Sequence, residues 1–214
     1  MAPQRIHLVR HGEVENPNGL LYGRLPGFGL SERGRRMAGL VAEDLAAREV
    51  PVARVLSSPL QRARESAEPL ARAFGTALEI DERLIEPWNA FEGQRMHGRF
   101  SALRNPMSWR RLVNPARPSW GEPYREIRDR MRAAIVEGSG GVDGDVVFVT
   151  HQLPIWIVHL ALSRRPLFHD PRRRRCALSS VTSFEYHPAT AFTEVDYREP
   201  AITEAERAVD QGAA

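Results

Sequence analysis

Four consecutive apolar residues, Val146-Val147-Phe148-Val149, stand between Asp145 and Thr150. A strand with one wet face alternates polar and apolar side chains. This one does not, so it reads as buried on both faces, with a layer packed on either side. Parallel sheets covered by helices meet that demand. Residues 6–9 (Ile-His-Leu-Val) and 52–57 read as further strands, and 180–186 and 191–196 as late ones. Helical patterns lie between them. Residues 32–48 set Met37, Leu40, Val41 and Leu45 on one face, with Ser31 as N-cap. Ser58-Pro59-Leu60-Gln61 has the form of a capping box with proline at the first helical position, which puts Arg62 in the first turn. Residues 124–137 and about 154–162 read as two more helices.

The expected fold is therefore α/β: a three-layer α/β/α sandwich with a mostly parallel central sheet. One domain is expected over 1–197, with a small lid or insertion at about 83–123 that is rich in Trp, Asn, Pro and Arg. Residues 198–214 are polar and Ala-rich and are expected to form a flexible tail. Ligands of such sheets bind beyond the carboxyl ends of the strands. His11 follows one candidate strand, His151 follows another, and Arg62 lies just after a third. Three segments are thus expected to deliver candidate phosphate-handling groups to one sheet edge.

Composition narrows the chemistry. The sequence contains no lysine, so all 30 basic residues are arginine. Schiff-base and Walker-lysine chemistry are excluded, while bidentate phosphate recognition is well supplied. Cys176 is the only cysteine, which excludes an internal disulfide and any paired-cysteine metal or redox motif. No apolar run approaches the roughly 20 residues of a membrane span. No secretion signal is read at the start. A cytoplasmic protein without membrane contact is expected. The net charge of +3 is too small to imply nucleic acid. Arg172-Arg173-Arg174-Arg175 lacks interleaved aromatics, and a solvated basic loop is the expected reading. His7 and His11 have helical zinc spacing but lie on a strand and its exit, so no metal site is expected. Trp88, Phe91, Trp109 and Trp120 suit either a pocket wall or packing of the lid.

Phosphoryl transfer through a covalent enzyme needs a nucleophile, positive charge on the equatorial oxygens and a proton for the leaving oxygen. Neutral imidazole is a competent nucleophile near pH 7. Arg10 and Arg62 offer permanent charge in forked geometry, and a helix N-terminus adds free N–H groups. His151 adds a donor if protonated beside bound phosphate. A carboxylic acid with a raised pKa can protonate the departing alkoxide.

The residues that carry this chemistry recur in a known order. Leu8-Val9-Arg10-His11-Gly12-Glu13 is followed by Gly23-Arg24, Leu30-Ser31-Glu32-Arg33-Gly34 and Ser57-Ser58-Pro59-Leu60-Gln61-Arg62-Ala63. Arg83-Leu84-Ile85-Glu86 with Glu92-Gly93, Gly121-Glu122 and Thr150-His151 complete the series. The set resembles the histidine phosphatase superfamily, also called phosphoglycerate-mutase-like. The resemblance implies that His11 carries the phosphoryl group and that Glu86 is the proton donor. It implies that Arg10, Arg62 and His151 bind the phosphate, with Asn16 within reach of it. Tyr22, Gly23 and Arg24 are the corresponding substrate-binding stretch. Three departures stand out. Pro17 occupies the position where the family often has asparagine, Pro123 replaces a serine after Gly121-Glu122, and Gln152 replaces the glycine after the second histidine.

The function expected from this is a metal-independent phosphomonoesterase acting on a small organic phosphate, with no cofactor. A phosphoglycerate-type mutase is the first alternative, since the same His11 chemistry serves both. A non-catalytic phospholigand-binding domain is the second. The substrate and the oligomeric state are not legible in the sequence.

Overall fold

The computed structural model describes residues 4–95, 121–187, 191–205, 208 and 210. Strand β1 (Arg5–Arg10) leads to helix α1 (Glu32–Ala47), then β2 (Val52–Ser57), α2 (Gln61–Phe74) and β3 (Leu78–Ile80). After a 3-10 turn at Glu82–Leu84 come α3 (Tyr124–Ser139), β4 (Asp145–Thr150) and α4 (Gln152–Leu162). A second 3-10 turn at Pro171–Arg173 precedes β5 (Val181–His187), β6 (Ala191–Arg198) and the short α5 (Ile202–Ala205).

The six strands form one sheet in the order β3-β2-β4-β1-β5-β6. The β3, β2, β4 and β1 strands run parallel, while β5 and β6 return antiparallel at one edge. The apolar run that opened the sequence argument is the centre of this sheet. Val146 and Phe148 face a core shared with α3 and α4. Val147 and Val149 face a second core shared with α1 and α2. Every residue of β4 is buried. Each such side chain contributes about 1.5–3 kcal/mol on burial, and the two-sided demand fixes the three-layer form.

Local signals set the element ends. Ser31 caps α1, its hydroxyl accepting from the Gly34 N–H at 3.0 Å. The capping box at Ser58 does not form. Helix α2 starts at Gln61 with Leu60 at the cap and no side-chain cap. The Ser58 hydroxyl is held instead by His151 Nε2 at 2.8 Å, and the Leu60 N–H reaches it only at 3.4 Å. A tertiary partner thus outcompetes the local one, but Arg62 still falls in the first turn. The three-residue β3 carries no alternation to reveal it and was not expected.

Within the segment expected as a lid, residues 96–120, including Trp109 and Trp120, lie outside the described residues. Phe91 is buried and Trp88 is exposed. Ala201 packs with Met37 and Leu178, and Glu204 pairs with Arg33 and Arg36, so the described part of the C-terminal segment lies along α1.

His7 does not pair with His11. It points into the sheet's own hydrogen-bond network, 2.8 Å from Ser183 Oγ and 3.1 Å from Asp145 Oδ2. All three residues are buried. The Asp145 carboxylate also accepts the Arg5 N–H at 2.9 Å, tying the starts of β1 and β4 together. His7→Leu keeps bulk but strands two buried polar groups. It should cost about 1–3 kcal/mol of stability. Urea denaturation measures this, and a loss below about 0.5 kcal/mol would remove the network from the account of the fold.

Candidate active site

The carboxyl ends of β1, β2 and β4 converge. Arg10 is the last residue of β1, and His11 follows it with its N–H bonded to the Thr150 carbonyl at 3.1 Å. Ser58 follows β2 and donates its N–H to the Val149 carbonyl at 2.9 Å. His151 follows β4. The chain between β1 and α1 must then pass very close to the start of α1. A Cβ on Gly12 would lie 2.6 Å from the Gly34 carbonyl oxygen, and one on Gly34 would lie 2.0 Å from that of Glu13. Two glycines therefore allow one backbone crossing, which locks the His11 turn against α1 and leaves the Gly12 N–H to Ser66 Oγ at 3.1 Å.

His11 is fully enclosed, and its orientation fixes its tautomer. Nδ1 lies 2.8 Å from the Gly12 carbonyl oxygen, an acceptor only, so Nδ1 carries the proton. Nε2 is left with its lone pair and has no hydrogen-bond partner among the described residues. Burial, then the charges of Arg62 and Arg10, hold the imidazole pKa well below its usual value. His11 is a neutral base at physiological pH.

Two guanidiniums flank it. Arg10 and Arg62 are 0% and 1% exposed, a burial that arginine tolerates only with fixed partners. Arg10 donates from Nη1 to the Cys176 carbonyl and from Nη2 to Asp210 Oδ1, both at 2.7 Å. Burial opposes the charge on Arg10, and Asp210, Cys176 and Tyr22 together more than restore it. Arg62 donates from Nη2 to the Gly23 carbonyl at 2.7 Å and lies 4.6 Å over the Tyr22 ring. The Nε atoms of both arginines are buried without a partner among the described residues.

His151 stands 5.1 Å from His11, ring centre to ring centre. Its Nε2 meets Ser58, and its Nδ1 lies 3.4 Å from Glu86 Oε2. Burial and then Arg62 press its pKa down. Glu86 is 2% exposed, and burial raises its carboxyl to about 7 against the pull of Arg62, Arg174, Arg10 and Arg130. Its backbone is well fixed. Arg24 Nε donates to the Glu86 carbonyl at 2.6 Å, and Thr150 Oγ1 donates to the Leu84 carbonyl at 2.6 Å. Arg130 donates to the Arg83 carbonyl. Glu122 clamps Arg24 and Arg130 at 2.9 and 2.7 Å.

The structure thus brings Arg10, His11, Arg62, Glu86 and His151 together. The other two nearby carboxylates are committed elsewhere. Glu13 accepts from Ser31 Oγ at 2.5 Å and from Arg33 at 3.2 Å, and Glu92 accepts the Asn89 N–H at 3.1 Å. Tyr22, Gly23 and Arg24 stand behind the site and hold Arg62 and Glu86. Burial keeps the Tyr22 phenol protonated, with a pKa pushed up to about 12. The Asn16 amide closes its own loop, bonding the Leu20 carbonyl at 2.9 Å and the Leu20 N–H at 3.1 Å. Pro17 starts a turn there, and the side chain satisfies the backbone of that turn. Sequence reading missed Ser58 as the partner of His151, and Asp210, which carries no local signal at all.

Among the described residues, His11, Glu86 and His151 present donor atoms within 4.8 Å of one another and form the one group with metal-ligand geometry. Two buried guanidiniums beside it, with Arg62 depressing both imidazole pKa values, make the locus favour an anion over a cation.

A family model described as histidine phosphatase superfamily, branch 1, matches residues 6–196. An uncharacterized protein of Mycobacterium tuberculosis is 49% identical over 201 residues, which cover 92% of this chain and 96% of that protein. Glucosyl-3-phosphoglycerate phosphatase of Mycobacterium tuberculosis is 28% identical over 214 residues, covering 92% and 93% of the two chains. A solved mycobacterial glucosyl-3-phosphoglycerate phosphatase superposes with a TM-score of 0.71 at 25% identity, over 92% of this chain and 98% of that one.

The Asp210 carboxylate occupies Nη2 of Arg10, so an oxyanion binding that guanidinium would compete with it. Asp210→Asn removes that charge and keeps the shape. Orthophosphate should bind several-fold tighter to the variant by calorimetry. Weaker binding would mean that Asp210 organises Arg10 for the anion and does not oppose it.

Proposed function

The chain belongs to the histidine phosphatase superfamily, and from that premise we propose that it is a metal-independent phosphomonoesterase working through a phosphohistidine on His11. The observation that carries this reading is the His11 imidazole. Its Nδ1 is committed to the Gly12 carbonyl, its Nε2 is buried without a partner among the described residues, and burial with the charges of Arg62 and Arg10 holds its pKa well down. The phosphatase relative named above, alike over almost its whole length, supports hydrolysis over isomerisation. The substrate class is a small organic phosphate monoester.

The proposed first step uses these groups. His11 Nε2 attacks phosphorus, the bond from phosphorus to the ester oxygen breaks, and the Glu86 proton passes to that oxygen. The free alcohol leaves. Arg10 and Arg62 hold the equatorial oxygens and place positive charge where negative charge accumulates. The N–H groups at the start of α2 add to the same field. With the Ser58 hydroxyl donating to Nε2 of His151, Nδ1 of that ring becomes a further donor to the phosphoryl group.

The second step reverses the proton's path. Water attacks the phosphoryl group, and the Glu86 carboxylate takes one of its protons. The bond from phosphorus to His11 breaks, and orthophosphate and neutral His11 are restored. A carboxyl titrating near 7 suits both roles, since it donates and accepts at similar cost.

His11→Ala removes the reacting atom from a strand end and should abolish turnover with the fold intact. Acid-labile phosphate should be found by mass spectrometry on wild-type His11. Near-native turnover by His11→Ala would end the proposal.

Glu86→Gln should slow phosphorylation by alkyl esters about 10²–10⁴-fold, and by aryl phosphates much less, because an aryloxide leaves with little protonation. Single-turnover phosphorylation rates measure this directly. Glu13→Gln and Glu92→Gln are the controls, and leaving-group dependence in either, without it in Glu86→Gln, would reassign the acid.

A pH profile adds a sign. The donor must be protonated, so the phosphorylation rate for alkyl esters should fall as pH rises through about 7. Aryl esters should lack that limb. Activity should persist in chelator, and loss in EDTA with recovery on adding zinc would point to metal-assisted hydrolysis.

A further inference from the structure

The run Arg172-Arg173-Arg174-Arg175 is not a uniform charged face. The Arg172 side chain is 90% exposed. Arg175 pairs with Glu194 and lies 4.4 Å over the Tyr197 ring. Arg174 turns the opposite way and is half-buried. Its Nε donates to His169 Nε2 at 2.9 Å, and its Nη1 donates to Gln152 Oε1 at 3.3 Å. Gln152 stands directly after His151. Its own Nε2 donates at 3.4 Å to the Cys176 carbonyl, the same oxygen that takes Arg10 at 2.7 Å. One side chain and one carbonyl therefore link Arg174 to the phosphate arginine.

The frame that aims Arg174 is specific. His169 Nδ1 faces the Leu167 carbonyl at 2.8 Å, so the proton is on Nδ1 and Nε2 is free to accept from the guanidinium. Burial first, and then Arg174, keep this imidazole below its usual pKa, so it stays a neutral acceptor. The His169 ring packs 5.4 Å from Tyr124, the first residue of α3. The charge of Arg174 is felt by both the Tyr124 phenol and the Glu86 carboxyl. Arg174 is bonded to the side chain of Gln152, which adjoins His151, and His151 Nδ1 lies 3.4 Å from Glu86 Oε2, so Arg174 stands on the proton-donor side of the site. The glycine that usually follows the second histidine in the resembling family could not hold an arginine in this way. Here Gln152 and Arg174 occur together.

On the phosphatase reading above, we infer that Arg174 is a specificity-determining residue: it binds a second oxyanion on the alcohol portion of the substrate, with Gln152 and His169 aiming its guanidinium. The preferred substrate is a phosphomonoester of an acidic alcohol. A planar guanidinium takes a carboxylate or a second phosphate in a bidentate grip. A charge-assisted bond in such a site is worth about 10- to 100-fold in specificity. Binding there also offsets the charge of Arg174 and so favours the protonated Glu86 that the first step needs.

The test is a ratio, which cancels any loss of activity common to both substrates. kcat/KM is measured for 3-phosphoglycerate and for glycerol 3-phosphate, which differ in a carboxylate against a hydroxymethyl group. Fructose 1,6-bisphosphate against fructose 6-phosphate asks the same of a second phosphate. The wild type should favour the member carrying the second anionic group in at least one pair by about tenfold or more. Arg174→Gln should bring that ratio near one, and Arg174→Lys, which keeps a point charge without the fork, should fall between them. Equal ratios in wild type and Arg174→Gln would overturn the inference, as would a wild type without preference in either pair. Should Arg174→Gln not fold, the Arg174→Lys ratio decides alone, an unaltered value counting against the subsite. If the wild type releases phosphate from none of these esters, the phosphatase reading fails. The subsite is then judged on its own by calorimetry with the same pairs, where equal affinities within both pairs would reject it.

Discussion

The rest of this structure depends on keeping two guanidiniums out of water around an imidazole that must stay uncharged. Arg10 and Arg62 are almost wholly enclosed, and burying a charge is costly unless fixed hydrogen-bond partners offset its lost hydration. The fold meets that demand with backbone oxygens, the Cys176 carbonyl for Arg10 and the Gly23 carbonyl for Arg62, and with one carboxylate, Asp210. Carbonyls orient a guanidinium without neutralising it. The positive potential that survives has two effects at once. It adds to burial, the larger cause, in holding the His11 pKa down, and in the proposed reaction it would offer the charge that a phosphoryl group needs.

The same field acts on the acid in the opposite sense. Arginines pull the Glu86 carboxyl toward ionisation, and enclosure pushes it toward the neutral form. Enclosure wins, and the group titrates near 7. This balance is sensitive to position, which explains how much of the surrounding structure is spent on the Glu86 backbone. Arg24, Thr150 and Arg130 each donate to a carbonyl within the Arg83–Glu86 stretch, and Glu122 holds two of those three donors in place. Tyr22, Gly23 and Arg24 belong to this supporting shell, so a substitution among them acts on the reacting groups through Arg62 and Glu86.

How much of this was legible in the sequence follows from where each residue gets its position. His11, His151 and Arg62 get theirs from a strand end or a first helical turn, which short-range patterns mark. The four-residue apolar run of β4 marked the sheet for the same reason, because burial on two faces leaves its trace in the strand itself. Ser58 looked like a cap and is one only in sequence. Its hydroxyl goes to His151, a residue 93 positions away that no local pattern can weigh. The Asn16 amide bonds the Leu20 backbone across the turn at Pro17, a closure that the sequence pattern does not mark. Asp210 and the inward turn of Arg174 arise from packing between distant segments. An arginine run reads as a solvated loop until the fold separates its members.

That separation bears on how such a site acquires preference. The Arg10 and His11 end of the site is built on strand termini and two glycines that permit a single backbone crossing, and it has little room to vary. Groups on the Glu86 side come from the loop between α4 and β5 and from the start of α3. These positions carry no sheet hydrogen bonds, so they can change without disturbing the nucleophile. Gln152 is the exception that joins the two regions. It begins α4 directly after His151, yet its side chain reaches toward Arg174 and the Cys176 carbonyl. A residue at that joint can couple recognition of the alcohol portion to the placement of Arg10, because both guanidiniums share its frame.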